Sequence, residues 1–247
     1  MRRAPFLLLT SRAEDHLSEH ESAGLKRLTG LADDEVVQIR MEQAEFLPVP
    51  LDDVSGVILG GSPFTTSDPV EHKSEQQLRV EGELVLLLRE VFTRDVPYLG
   101  LCYGIGVTSL VAGGLVDRTF GEGVGPTTVT VTDEGRADPV FGGMPPTFTA
   151  FTGHKEACSE LPPGAVLLAT NDACPVQAYR LGGRQYVTQF HPELEPDHFI
   201  HRIRAYRHLG YFSPETSEEL IERVGSVDVS QAHGVLRGFV REFARPR

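Results

Sequence analysis

Short apolar runs at 5–9 (PFLLL), 35–40 (EVVQIR), 54–59 (VSGVIL) and 97–101 (PYLGL) recur through the first half of the chain. Runs of that length suit strands buried on both faces, as in a parallel sheet. Helical spacing separates them. Residues 18–31 place Leu25 and Leu28 inward with acids outward. Ser74 opens a second helix, with Gln77 completing a capping box and Leu84, Leu87, Leu88, Val91 and Phe92 on one stripe. A third runs from about Tyr103 to Gly113-Gly114, a glycine stop. The stretch 60–73 reads as a loop. Alternation of this kind predicts an α/β fold, an open parallel sheet with helices on both faces.

The second half differs. Residues 127–132 alternate as a strand, and 165–170, 175–180 and 185–190 read as short antiparallel additions between Gly, Pro and Asn-Asp turns. Helical spacing returns at 197–209, at 214–224 behind Ser213-Pro214, and at roughly 229–244. With no repeat, linker or low-complexity segment, 1–247 reads as a single domain with a helical C-terminal extension from about 197. A chain of 247 residues, 40% hydrophobic, can bury a core without disulfides or metals. Its formal net charge of −12 repels phosphate backbones and anionic lipid, so nucleic acid and membrane are not expected partners. Three cysteines, Cys102, Cys158 and Cys174, do not suggest a disulfide framework and fit a reducing compartment. After Met1-Arg2-Arg3 the run Phe6 to Leu9 is too short for a signal peptide. Nothing approaches the roughly 20 apolar residues of a membrane span. A cytoplasmic protein is expected.

Three signals carry chemistry. Gly100-Leu101-Cys102-Tyr103-Gly104 lies between a predicted strand and a helix, the pattern of a nucleophile elbow with cysteine as the nucleophile. The following helix N-terminus favours negative charge at the sulfur. A structural cysteine in a glycine-rich turn reads the same way. Gln189-Phe190-His191-Pro192-Glu193 puts His191 and Glu193 two residues apart, on one side of an extended chain. Glu193 would orient the imidazole, and His191 would move protons to and from Cys102; taken alone, a surface turn is the plainer reading. Gly60-Gly61-Ser62-Pro63 follows an apolar strand. Its backbone can approach a ligand, and the N–H groups of Gly61 and Tyr103 would hold an oxyanion; a tight turn is the plainer reading. All three signals fall at C-terminal strand ends, where open α/β sheets bind ligands.

Together these segments resemble the class I, triad-type glutamine amidotransferases, especially the GMP-synthase-like free-standing glutaminase domains. VILGGSPFTTSD is similar to that family's oxyanion strand and loop, PYLGLCYGIGVTSLVAGGLV to its elbow and helix, and QFHPE to its His/Glu element. LPPGAVLLATND and PVQAYR keep the family spacing. The likeness is close over 54–193 and loose elsewhere. It implies a flavodoxin-like sheet with appended antiparallel strands. It also implies cysteine-dependent hydrolysis of a γ-glutamyl amide through a thioester, with no metal or organic cofactor. Partners implied are a small-molecule γ-glutamyl substrate and either a separate synthetase subunit, which would accept the ammonia, or none, the chain then being a free-standing amide hydrolase. A non-catalytic binding or regulatory module on the same fold is the alternative of another class. The chain has no phosphate-binding G-x-x-x-x-G-K-[ST] loop and no Ser-Gly-Gly-x-Asp-Ser loop.

By the same resemblance Gly60 and His154, in Thr152-Gly153-His154-Lys155, face substrate. The sequence departs at Gly106, where the family carries a glutamine that holds the substrate's amino-acid end. That departure implies poor use of free glutamine and room for a larger γ-glutamyl compound. Gly121-Glu122-Gly123-Val124-Gly125 precedes a strand rather than a helix and reads as a loop, not a dinucleotide site. His198, His201 and His208, near Glu195 and Asp197, suggest a metal site less than a solvated helix start. Cys158 and Cys174 read as packing residues.

Overall fold

The computed structural model describes residues 3–43, 51–208 and 210–247. The strands are β1 (Phe6–Thr10), β2 (Val36–Arg40), β3 (Gly56–Leu59), β4 (Tyr98–Leu101), β5 (Leu115–Asp117), β6 (Glu122–Val131), β7 (Thr147–His154), β8 (Ala157–Glu160), β9 (Val166–Thr170), β10 (Ala178–Leu181) and β11 (Gln185–Thr188). The helices are α1 (Asp15–Thr29), α2 (Glu75–Thr93), α3 (Tyr103–Val111), α4 (Asp133–Ala137), α5 (Pro196–Ala205), α6 (Ser217–Gly225) and α7 (Gly234–Phe243).

The main sheet has the order β2-β1-β3-β4-β11-β10-β9-β6-β7, while β5 and β8 form a separate pair. From β2 through β11 neighbouring strands run parallel. From β10 to β7 each strand is antiparallel to its neighbours. This is the flavodoxin-like mixed sheet expected, with one correction. Segment 185–190 does not simply add an antiparallel strand: β11 lies parallel to β4 and inside the sheet.

Both sheet faces are covered, which explains the unbroken apolar runs. Phe6, Leu8, Ile58 and Leu99 pack with Leu25 of α1 and with Val235 and Phe239 of α7. Leu7, Leu9, Val57 and Leu59 point the other way, onto Val80, Leu84, Leu88 and Val91 of α2 and Ile105 of α3. A third cluster joins Phe151 of β7 to Phe199 and Ile203 of α5 and to Leu220 and Val224 of α6. Among the described residues no helix is long and apolar enough to cross a membrane.

Boundaries differ from the sequence reading where tertiary contacts decide them. Segment 121–125 is not a loop: β6 begins at Glu122, because β7 offers it a pairing partner. Only half of the capping box forms. Ser74 Oγ accepts from Gln77 N at 3.1 Å, but the Gln77 side chain donates to the Thr65 carbonyl and to Glu81. The last three helices are shorter than their patterns, and Leu209, at the end of one, lies outside the described residues, as do Met1 and Arg2. Strands β5, β7 and β8 carried no clear signal.

Candidate active site

Three segments distant in sequence leave the sheet side by side. Leu59 is in register with Gly100, and Leu101 with Thr188. The residues that follow, Gly60-Gly61, Cys102 and Gln189 to His191, therefore emerge at one edge. Cys102 adopts φ +52° and ψ −92°, a conformation rare outside glycine. Its N–H donates to Thr188 O at 2.7 Å, and α3 starts at the next residue, so the chain reverses sharply and presents the sulfur. Gly100 makes this turn possible: a Cβ there would lie 2.6 Å from the Tyr98 hydroxyl and 3.0 Å from the Gly104 carbonyl carbon. Cys102 is partly exposed, whereas Cys158 and Cys174 are buried, and burial pushes the Cys174 thiol up to about 12.

His191 is fixed on both sides. Its N–H donates to Phe151 O at 2.9 Å, and its Nδ1 lies 2.7 Å from Glu193 Oε1. Burial alone would lower the imidazole, but Glu193 and Cys102 outweigh it and push His191 up to about 9. Burial likewise opposes ionisation of Glu193, yet His191 and Arg202 hold its carboxyl well below the usual range.

Behind this trio runs a buried chain of alternating charge. Arg202 Nη1 donates to Glu193 Oε1 at 3.2 Å and Nη2 to Glu21 Oε1 at 2.8 Å. Arg12 Nε donates to the same Glu21 oxygen at 2.9 Å, and its Nη1 to the Tyr206 hydroxyl at 2.9 Å. A Cβ on Gly61 would lie 2.8 Å from His191 Cε1, 3.1 Å from Arg12 Nη2 and 3.6 Å from Cys102 Cβ, so no side chain fits there. Among the described residues the N–H groups of Gly61 and Tyr103 have no backbone acceptor, whereas the N–H of Gly60 is spent on Leu9 O at 2.9 Å.

Two clefts open from Cys102. A polar one is lined by Thr65, Tyr103, His154, Glu156 and Gln189. An apolar one is lined by His191 and by Val124, Phe199, Ile203, Tyr211 and Phe212, with Arg12 and Arg202 also in its lining.

The family model of the class-I glutamine amidotransferases matches residues 25–205. The chain belongs to this family. It is 34% identical over 125 residues to a glutamine-hydrolyzing GMP synthase of Clostridium novyi, a match covering 50% of this chain and 23% of that protein. It is 30% identical over 158 residues to one subunit of the glutamine-hydrolyzing GMP synthase of Archaeoglobus fulgidus, covering 64% of this chain and 75% of that relative. A crystal structure of a glutamine amidotransferase from Thermotoga maritima shares the fold, with a TM-score of 0.77 at 21% identity, over 97% of this chain and 98% of that one.

At Gly106 the structure corrects the expectation of spare room. A Cβ on Gly106 would meet Thr66 Oγ1 at 2.8 Å and Glu156 Oε1 at 3.0 Å. Glu156 accepts from Thr66 N and Oγ1 and from Ser67 N, tying the 60–73 loop to the β7–β8 connection. The space is filled from within the protein. His154 lines the polar cleft, but its Nδ1 meets Glu156 O at 2.8 Å and its Nε2 meets Glu122 Oε2 at 2.9 Å. Glu122, His154 and Cys174 bring donor atoms within 4.8 Å of one another. Asn171 and Gln177 also donate to Glu122, so the cluster is a hydrogen-bonded one. His198 and His201 do meet a further histidine: His20 of α1 stacks on His198 at 4.8 Å and lies 5.1 Å from His201.

Arg12, Glu21, Arg202 and Glu156 were missed in the sequence. For two of them a signal exists. Arg202 lies between Phe199 and Ile203 on the buried stripe of α5, and Glu21 lies between Leu17 and Leu25 on that of α1. A charge on an apolar stripe calls for a buried partner.

Proposed function

We propose that this chain hydrolyses a γ-glutamyl amide through a covalent thioester on Cys102. The observation that carries the reading is the pairing of the Cys102 elbow with a buried His191–Glu193 hydrogen bond of 2.7 Å. Glu193 accepts from Nδ1–H, which leaves the other ring nitrogen to take the thiol proton. The thiolate adds to the amide carbonyl, and the N–H groups of Gly61 and Tyr103 receive the oxyanion. The nitrogen leaves with the proton from His191, and water then releases glutamate. Among the described residues Gln189 Oε1 is buried without a partner beside the polar cleft, an acceptor suited to the α-ammonium of a γ-glutamyl group.

The names of the GMP synthase relatives favour ammonia as product, passed to a synthetase partner. The apolar cleft favours a free-standing hydrolase of a substituted amide. A glutamine-mimicking diazoketone should label Cys102 alone, and Cys102→Ala should abolish glutamate release. Labelling at Cys158 or Cys174, with turnover surviving in Cys102→Ala, would refute the reading. His191→Ala should cost roughly 10²–10⁴-fold in kcat, and Glu193→Ala less.

A further inference from the structure

The two clefts meet at Cys102, and proton transfer decides which part of an amide enters each. His191 must deliver its proton to the departing nitrogen, so that nitrogen's substituent lies on the His191 side of the sulfur. That side is the apolar cleft. Ammonia would need nothing there, yet the space is walled by Val124, Phe199, Ile203, Tyr206, Tyr211 and Phe212. The wall is fixed: Phe199 packs on Phe151 at 4.6 Å between ring centres, and both belong with Ile203 to the cluster under α5 and α6.

In the same lining, Arg12 is 3% exposed and locked by Glu21 and Tyr206 through Nε and Nη1. Its Nη2 lies by Gly61, the residue that also borders Cys102 and His191, and among the described residues meets no protein acceptor. A guanidinium N–H with no protein acceptor in the lining of an apolar cleft is a receptor for a carboxylate.

We propose that the leaving amine is an α-amino acid with an apolar, preferentially aromatic, side chain, so that the substrate is a γ-glutamyl dipeptide. The side chain fills the apolar cleft and the carboxylate meets Arg12 Nη2. This inference rests on the amide-hydrolase reading above. In the first step the Cys102 sulfur–carbon bond forms, the amide C–N bond breaks, and the amino acid leaves with the proton from His191. In the second, water gives a proton to His191, its oxygen bonds to the carbonyl carbon, and the C–S bond breaks. The balance is dipeptide plus water to glutamate plus amino acid, with no other reactant.

The test measures glutamate release by the purified chain from γ-glutamyl-phenylalanine, from γ-glutamyl-phenylethylamine, which is the same amine without its carboxylate, and from glutamine. The expected kcat/KM for γ-glutamyl-phenylalanine exceeds that for glutamine by at least about ten-fold, the scale of small contacts in an apolar pocket. It exceeds that for γ-glutamyl-phenylethylamine by a similar factor, because a charged hydrogen bond is lost. Phe212→Ala should shrink the phenylalanine-over-glutamine ratio roughly ten-fold. Glutamine turned over as well as γ-glutamyl-phenylalanine, or a ratio unmoved by Phe212→Ala, overturns the subsite. Equal rates with and without the carboxylate overturn the role of Arg12. Glutamate released from none of the three is a different failure, and it overturns the hydrolase reading itself.

Discussion

Arg202→Met tests whether the buried charges behind His191 tune it. Arg202 is nearly inaccessible, and it bridges Glu193 and Glu21 at 3.2 and 2.8 Å. Removing one partner of a buried pair costs about 3–5 kcal/mol, because the charges left behind stay buried. Here Glu21 keeps Arg12 and Glu193 keeps His191, so the lower end, about 3 kcal/mol, is expected. The effect on His191 has a definite sign. Arg202 Nη1 lies 3.4 Å from His191 Nδ1, and a cation there disfavours the imidazolium. At an effective dielectric constant of about 20 the bare repulsion is roughly 5 kcal/mol. Glu193 lies against both groups and absorbs most of it, leaving an upward shift of about one pH unit in Arg202→Met, or roughly 1.4 kcal/mol. Urea unfolding reads the first effect, and NMR titration of the His191 Cε1–H reads the second without relying on activity. Arg202→Lys keeps the charge but not the two-pronged bridge, so it should lose part of the stability and little of the titration behaviour. A His191 titration that moves down or stays still in Arg202→Met, with stability unchanged, would refute the coupling.

Three further outcomes are expected. Cys102→Gly should raise stability by about 1 kcal/mol, since a non-glycine residue at φ +52° stores roughly 1–3 kcal/mol and glycine returns part of that as unfolded-state entropy; a lower Tm would show the elbow is unstrained. Gly106→Ala should lower Tm despite alanine's advantage in helices of about 1 kcal/mol, because its Cβ overlaps Thr66 Oγ1 and Glu156 Oε1; a higher Tm would show the loop yields freely. His191, raised to about 9 in the folded state, contributes stability that is complete below its unfolded value of about 6.5 and is lost as the pH climbs through 9. The difference amounts to roughly 3 kcal/mol, and His191→Gln should flatten that part of the pH–stability profile measured by urea unfolding.

What the sequence reveals and what it hides follow from the range of the forces involved. β1, β3, β4, α2 and α3 are legible because each declares its own burial: Phe6 to Leu9 and Val57 to Leu59 are apolar without alternation because helices cover both faces. The convergence of Cys102, His191 and Glu193 is legible because the turn chemistry that places them is local, two glycines around one residue and a two-residue spacing in the other. Only the second half of β6 is legible, because Gly123, Gly125 and Pro126 disfavour a strand locally and only pairing with β7 extends it back to Glu122. Gly106 shows the harder case. A glycine reads as an absence, and what it makes room for, Thr66 and Glu156, arrives from segments far away in the chain. Glu21 and Arg202 fall between these extremes: each breaks the apolar stripe of its own helix, which is visible, while the partner that makes the break tolerable lies 181 residues away. The two charged residues on buried helix stripes each find a counter-ion beyond their own helix, Glu21 in Arg12 and Arg202 in Glu193, and through Glu21 the two pairs join behind His191.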